Sequence, residues 1–210
     1  MPTKEKWIKA LEGRHGIEFQ KKISSSTVAI CGLGGLGSNI AIALARAGIG
    51  KLILIDFDKV DISNLHRQQY KVNQIGMSKA EALQKNLEEI NPYLETEIHS
   101  VCIDENNVKY LLLNADVICE AFDNAECKAM LINNVLEKMP DKYIVAASGM
   151  AGLGSANEIH TRKITSGFYL CGDEKSDVAD DIGLVSSRVM LCAAHQAHAV
   201  LRIIANEYEV

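Results

Sequence analysis

No run of apolar residues in this 210-residue chain approaches the roughly 20 that a membrane-spanning helix needs. The short run Leu52 to Ile55 has Lys51 before it and Asp56 after it. The N-terminal stretch MPTKEKWIKALEGR has no apolar signal-peptide core, so a cytoplasmic location and no membrane partner are expected. An excess of basic charge is missing too. The net charge of −5 argues against a protein that tracks nucleic-acid phosphates and leaves small molecules or proteins as partners. The six cysteines, at 31, 102, 119, 127, 171 and 192, show no short paired spacing. That excludes a four-thiolate zinc clip, so no zinc is expected, and it points to reduced thiols. Internal repeats and low-complexity tracts are also absent.

What is present is an ordinary globular composition, 48% hydrophobic and 23% charged, in a length that suits one domain over residues 1–210. Residues 1–26 read as an amphipathic helical segment interrupted at Gly13 and Gly16. Thr27 to Cys31 is a short β-branched apolar run that enters glycines 32, 34, 35 and 37, followed by helix-forming sequence to Ala47. Lys51 to Ile55 repeats the strand pattern, and two such strands joined by a helix make a right-handed βαβ unit. The alternation continues. Helices are expected over about 78–90, 105–114 and 124–138, and strands over 97–101, 116–120 and 143–147. Two strands near 158–163 and 167–171, with no helix between them, predict a late antiparallel addition before a last helix from about 185 to 206. The fold class is therefore α/β, Rossmann-like and doubly wound, with a mainly parallel sheet, late antiparallel strands and a C-terminal helix. The acidic, glycine-flanked stretch 172–183 reads as a mobile loop.

Gly32, Gly34 and Gly37 form G-x-G-x-x-G in the required strand-to-helix setting, where backbone N–H groups and a helix N-terminus can meet phosphate oxygens. Asp56, ending the second strand, can bond ribose hydroxyls. This fingerprint alone makes nucleotide binding the expectation, and an NAD-dependent dehydrogenase its default reading. The polar segment from Asp56 through Asp58, Asn64 and Arg67 to Tyr70 is what an NAD site does not need. Arg67 and Lys79 supply two cations suited to a triphosphate, and Asp123 a carboxylate at the sheet edge that suits magnesium.

The chain resembles the ThiF and MoeB family of ubiquitin-activating-like adenylyltransferases, over essentially its whole length, and looks most like the compact ThiF subgroup. The resemblance is carried by Gly32-Leu-Gly-Gly35-Leu-Gly37-Ser-Asn, Asp56-Phe-Asp58, Ser63-Asn64-Leu-His-Arg67-Gln68, Gly76-Met-Ser-Lys79, Asn91-Pro92 and Asp123-Asn124. It implies ATP as the nucleotide, bound by these glycines with Asp56 on the ribose, Asn64, Arg67 and Lys79 around the phosphates and Asp123 on magnesium, with Asp58 and Asn124 also among the nucleotide-binding residues. Arg14 matches an N-terminal arginine that in this family reaches the γ-phosphate from the neighbouring subunit of a homodimer. Without the family it would read as a solvated charge at a helix end. The implied reaction joins the C-terminal glycine carboxylate of a ubiquitin-like sulfur-carrier protein ending in Gly-Gly, ThiS-like, to AMP with release of pyrophosphate. By resemblance the pathway is thiamine thiazole synthesis, and Arg14, Arg67, Lys79 and Asp123 carry the catalysis.

Two other readings remain: a NAD-binding oxidoreductase or sensor, which rests on the fingerprint and Asp56, and a noncatalytic docking subunit. Cys171, beside the acidic loop, is the one thiol that sequence position offers for a covalent link to the carrier, and strand-end burial without a catalytic role is the expectation for it. Cys192, His195 and His198 recur every three residues and fan over about 120° of helix face at ~100° per residue, a poor convergence on one metal.

Overall fold

The computed structural model describes residues 1–179 and 182–210. Two helices, α1 (Lys4–His15) and α2 (Ile17–Ser24), precede the sheet. The expected N-terminal segment breaks at Gly16, whose φ of 83° turns the chain while its N–H still bonds Glu12. There follow β1 (Thr27–Cys31), α3 (Gly35–Ala47), β2 (Lys51–Ile55), α4 (Lys79–Ile90), β3 (Glu95–His99), α5 (Val108–Leu112) and β4 (Val117–Glu120). The rest is α6 (Ala125–Lys138), β5 (Tyr143–Ala147), β6 (His160–Lys163), β7 (Phe168–Gly172) and α7 (Ser186–Ala205).

The strands form one seven-stranded sheet in the order β3-β2-β1-β4-β5-β7-β6. Strands β1 to β5 are parallel to their neighbours, so their carboxyl ends share one edge. Burial on both faces explains their near-continuous apolar character. Val28, Ile30, Leu52, Leu54, Val117 and Cys119 point into the core beneath α3, α4 and α7, while Ala29, Cys31, Ile53, Ile55 and Ile118 point into a second core beneath α5 and α6. Burying each Leu or Ile contributes about 1.5–3 kcal/mol, so β1 and β2, where eight of ten positions are sealed, anchor the site that hangs from their ends.

Three expectations shift. The third strand begins at Glu95 rather than Glu97, because Lys51 reaches both Glu95 (3.2 Å) and Glu97 (2.8 Å) and holds a polar edge strand that hydrophobic patterning does not mark. The helix expected over 105–114 is only Val108–Leu112. Asp104 accepts hydrogen bonds from the N–H groups of Asn106 and Asn107, a local turn that competes with helix. The late antiparallel addition is the β6–β7 pair, but β7 runs parallel to β5, leaving the edge strand β6 as the one that runs against the sheet. The expected loop over 172–183 includes residues 180 and 181, which lie outside the described residues. Among the described residues no helix is long and apolar enough to cross a membrane.

Candidate nucleotide site

Strand order reverses between β1 and β4, and at the carboxyl edge beside that switch lies a cleft of about 540 Å³. Its floor is the glycine loop. Gly32 has φ of 91°, and a Cβ there would sit 2.7 Å from the Ala121 carbonyl; on Gly37 it would sit 1.9 Å from the carbonyl of Gly32. Gly37 therefore lets α3 fold back against β1 and does not itself line the cleft. Gly34, Gly35 and Leu36 do line it. Gly34 caps α3 without a side-chain bond, so the partial positive charge of the helix N-terminus faces the cleft.

Around the loop the site is charged and tightly cross-bonded. Asp56, buried at the end of β2, accepts from the N–H of Leu33 (2.6 Å) and of Asp58 (2.8 Å). Lys79, at the start of α4, is almost enclosed. Its ammonium donates to Asp58 at 2.7 Å and lies 3.8 Å from Asp56. Arg67 donates through Nη2 to Asn64 at 3.0 Å. Burial pulls the Arg67 pKa down and the nearby Asp123 carboxylate opposes that shift, which places cation and carboxylate within electrostatic reach. Asp123 is exposed just past β4, and Asn124 caps α6 by accepting from the Cys127 N–H at 2.9 Å. Arg67 Nε and Gln68 Oε1, both on residues that line the cleft, are buried with no partner among the described residues. A donor and an acceptor left open on a cleft wall are what a polar ligand would satisfy. Arg14 is exposed at the end of α1 and does not line this cleft. Helix α1 packs near Gly48 and Gly50, ahead of β2, at the opposite edge of the sheet.

Several cleft residues escape sequence reasoning. Cys102 and Cys127 line it, which their sequence positions did not suggest, whereas Cys171 is buried as its strand-end place led one to expect, its thiol pushed up to about 11 by burial. Lys128 lines it too, with its ammonium spent on structure. It binds both Glu120 oxygens at 2.9 Å and the Ala147 carbonyl at 3.1 Å. Burial raises the pKa of Glu120 against the pull of Lys128. Pairing of β4 with β5 stops at Cys119 and Val145. Beyond it Lys128 and the Gln196 amide, which donates to the carbonyls of Glu120 (2.9 Å) and Val145 (3.2 Å), bridge the diverging strand ends. The far half of the cleft is lined by Ser148 to Ala151, Ser176, Val178 and Leu184. Small, apolar and backbone groups mix there with the Asp177 carboxylate, and only the place of Ser148 to Ala151 after a strand end marks that part.

One ion pair supports that far half. Asp173, just past β7, is paired with Arg188 of α7. Burial alone would raise the Asp173 carboxyl, but the N–H groups of Ser176 and Lys175, the Ser176 hydroxyl and Arg188 outweigh it and hold the carboxyl well below the usual range. A value lower in the folded than the unfolded state means that this stabilisation is complete above the unfolded value of about 4 and is lost as pH falls toward the folded one. Urea midpoints measured from pH 7 downward are therefore expected to drop less steeply below pH ~4 in Asp173→Asn than in the parent; equal acid slopes would remove Asp173 from the acid response.

The oxygen donors fit magnesium. Asp123 is an open carboxylate beside an anion-binding loop, and that ion is commonly held by one or two carboxylates plus phosphate oxygens. Among the described residues, no three His, Cys, Asp or Glu side chains gather into a metal-binding group.

Known proteins place the chain. It is 38% identical over 121 residues to the adenylyltransferase and sulfurtransferase MOCS3 of Caenorhabditis briggsae, covering 57% of this chain and 30% of that protein. It is 39% identical over 129 residues to ubiquitin-like modifier-activating enzyme 5 of the same organism, 61% of this chain and 28% of the relative. A probable molybdopterin-synthase adenylyltransferase of Porphyra purpurea is 38% identical over 122 residues, 58% and 32%. These matches span less than a third of each relative's length. Among solved structures, Escherichia coli tRNA N6-threonylcarbamoyladenosine dehydratase TcdA, in complex with ATP, superposes with a TM-score of 0.86 at 20% identity, covering 97% of this chain and 95% of that one. Escherichia coli MccB, solved with MccA-N7isoASN, gives 0.72 at 20% identity, 95% and 65%. Both share the fold. The profile of the ThiF family matches residues 9–210, and with the glycine loop, Arg67, Lys79 and Asp123 gathered in one cleft, the chain belongs to that family.

Proposed function

We propose that the chain is an ATP-dependent adenylyltransferase, acting as a single domain over residues 1–210, that activates the C-terminal glycine carboxylate of a ubiquitin-like sulfur-carrier protein. The carrying observation is the joining, in one cleft, of a phosphate-type glycine loop, the cations Arg67 and Lys79 and the free carboxylate Asp123, with a second half walled by backbone, small and apolar side chains and the Asp177 carboxylate. Support also comes from MOCS3 and the molybdopterin-synthase enzyme, both named adenylyltransferases.

The carrier carboxylate attacks the α-phosphate of ATP in line, forming the acyl–phosphate bond as the bond to pyrophosphate breaks. A carboxylate is ionised near pH 7, so no general base is needed. Rate comes from placement and from charge stabilisation at phosphorus and on the leaving pyrophosphate. In this reading Asp56 holds the ribose, with Asp58 keeping Lys79 in place, while the α3 N-terminus, Asn64, Arg67 and Lys79 hold the phosphates. Magnesium, held through Asp123 beside Asn124, supplies charge neutralisation. Arg14 does not line its own cleft, and by family resemblance it acts on the site of a second subunit, which makes the active form a homodimer, in the cytoplasm. A ThiS-like carrier and thiazole formation for thiamine are the substrate and pathway favoured by resemblance.

The deciding experiment is ATP–pyrophosphate exchange with magnesium and a carrier ending in Gly-Gly, beside the same carrier without those residues. Exchange that requires the intact tail is the expected result. Its absence with several such carriers would sink the reading.

A further inference from the structure

Arg188 is a cation in the first turn of α7, the helix end where a positive charge is least favoured, and yet it is only 5% exposed. Such burial needs strong partners, and they come from separate stretches of chain. Nη2 donates to the carboxylate of Asp173 after β7. Nη1 donates to the carbonyls of Gly154 and Ser155, the latter at 2.9 Å, in the loop after β5, and Glu158 stands 3.8 Å away. The other Asp173 oxygen accepts from the N–H groups of Lys175 and Ser176, both at 2.9 Å, and from the Ser176 hydroxyl at 3.1 Å. Ser176 Oγ then accepts from the Ala151 N–H at 3.0 Å. Backbone bonds from Asp173 to Gly149 (2.9 Å) and from Glu174 to Ser148 (3.0 Å) run alongside.

The two stretches so joined, 148–151 and 176–178, are adjoining parts of the wall in the far half of the cleft, away from the ribose end at Asp56. The aspartate oxygens, the serine hydroxyl and the two terminal guanidinium nitrogens are committed to one another or to backbone, while Arg188 Nε is buried without a hydrogen-bond partner among the described residues. The cluster fixes a spacing and offers no group for chemistry.

We propose that Arg188 is a positioning residue for the carboxylate substrate: through Asp173 and Ser176 it holds the adjoining backbone stretches 148–151 and 176–178 in register as the one wall that receives the substrate's extended C-terminal tail. This rests on the adenylation reading above. The hydrogen-bond partners of Asp56, Arg67 and Lys79 lie outside this cluster, so nucleotide affinity is expected to move less than carrier affinity.

The test measures KM for carrier, KM for ATP and kcat in pyrophosphate exchange for the parent and for Ser176→Ala, Arg188→Lys and Arg188→Gln. Ser176→Ala removes the bridge to Ala151 without stranding a buried charge, so it stays informative if Arg188→Gln fails to fold. It is expected to raise the carrier KM about fivefold to tenfold, the worth of one hydrogen bond, with ATP KM unchanged within about twofold. Arg188→Gln should raise it further. Arg188→Lys, keeping the charge but not the fork that spans Asp173 and two carbonyls, should fall between the parent and Arg188→Gln. Carrier and ATP constants that worsen in parallel, or a carrier KM unmoved in Ser176→Ala, would overturn the proposal and leave a purely structural cluster. An inactive parent with every Gly-Gly carrier would instead overturn the adenylation reading beneath it.

Discussion

Asp123→Ala is expected to lower pyrophosphate exchange by at least about a hundredfold, the scale of losing one electrostatic group in a charged transition state, while leaving the melting temperature close to that of the parent. The fold has little at stake in this side chain. Asp123 is exposed past the end of β4, and the capping of α6 is done by its neighbour Asn124. The cleft has much at stake, because Asp123 is the carboxylate within electrostatic reach of Arg67 and the candidate holder of magnesium. A variant within about threefold of the parent would remove Asp123 from the mechanism, because so small a change is below one hydrogen bond.

Gly37→Val should act by the opposite route, through the fold. The first side-chain carbon there would fall 1.9 Å from the carbonyl of Gly32 and 3.0 Å from Ile30, inside the tightest packing of β1 against α3. Neither obstacle is a flexible side-chain tip that could swing aside, so the helix must move off the strand. The expected cost is on the order of 3 kcal/mol, at the upper end of overpacking penalties, and a melting temperature lowered by about 6–12 °C for a chain of this size. Nucleotide affinity should fall with it, because displacing α3 displaces Gly34 and Gly35 from the cleft floor. Unchanged melting and nucleotide binding would show that the β1–α3 contact tolerates a separation the geometry denies.

These two positions also show how far the sequence could be read. Gly37 and Asp123 stand out in the chain because each follows a strand whose apolar run is bounded by glycine or polar residues, and β1, β2 and β5 were legible to the residue for that reason. Strand β3 was not, since its stability comes from Lys51 on another strand holding two glutamates. The direction of β7 was hidden as well. Nothing local distinguishes a strand that joins β5 in parallel from one that joins it reversed. In the site, charge and motif exposed Asp56, Arg67 and Lys79. The far half of the cleft stayed out of sight because Ser148 to Ala151 carry no charge, and the Arg188 cluster that shapes it draws on three separate stretches of chain, at Gly154–Ser155, Asp173 and α7. Cys171 was legible too: its place at a strand end pointed to burial despite the neighbouring acidic loop, and packing under α7 seals it.

The borders of the sheet carry a consequence for how other chains can approach. Strand β6, four residues long, presents His160 and Arg162 to solvent, with Arg162 paired to Glu174 and Lys163 to Glu209. At the other border β3 carries Glu95, Glu97 and His99. Short, charged margins discourage a foreign strand from adding itself to the row of open backbone groups. A tail arriving in extended form is thereby denied the simplest docking mode available to it, strand addition at a sheet edge. Copies of the chain are likewise steered away from edge-to-edge stacking, so any self-association is left to helices and loops.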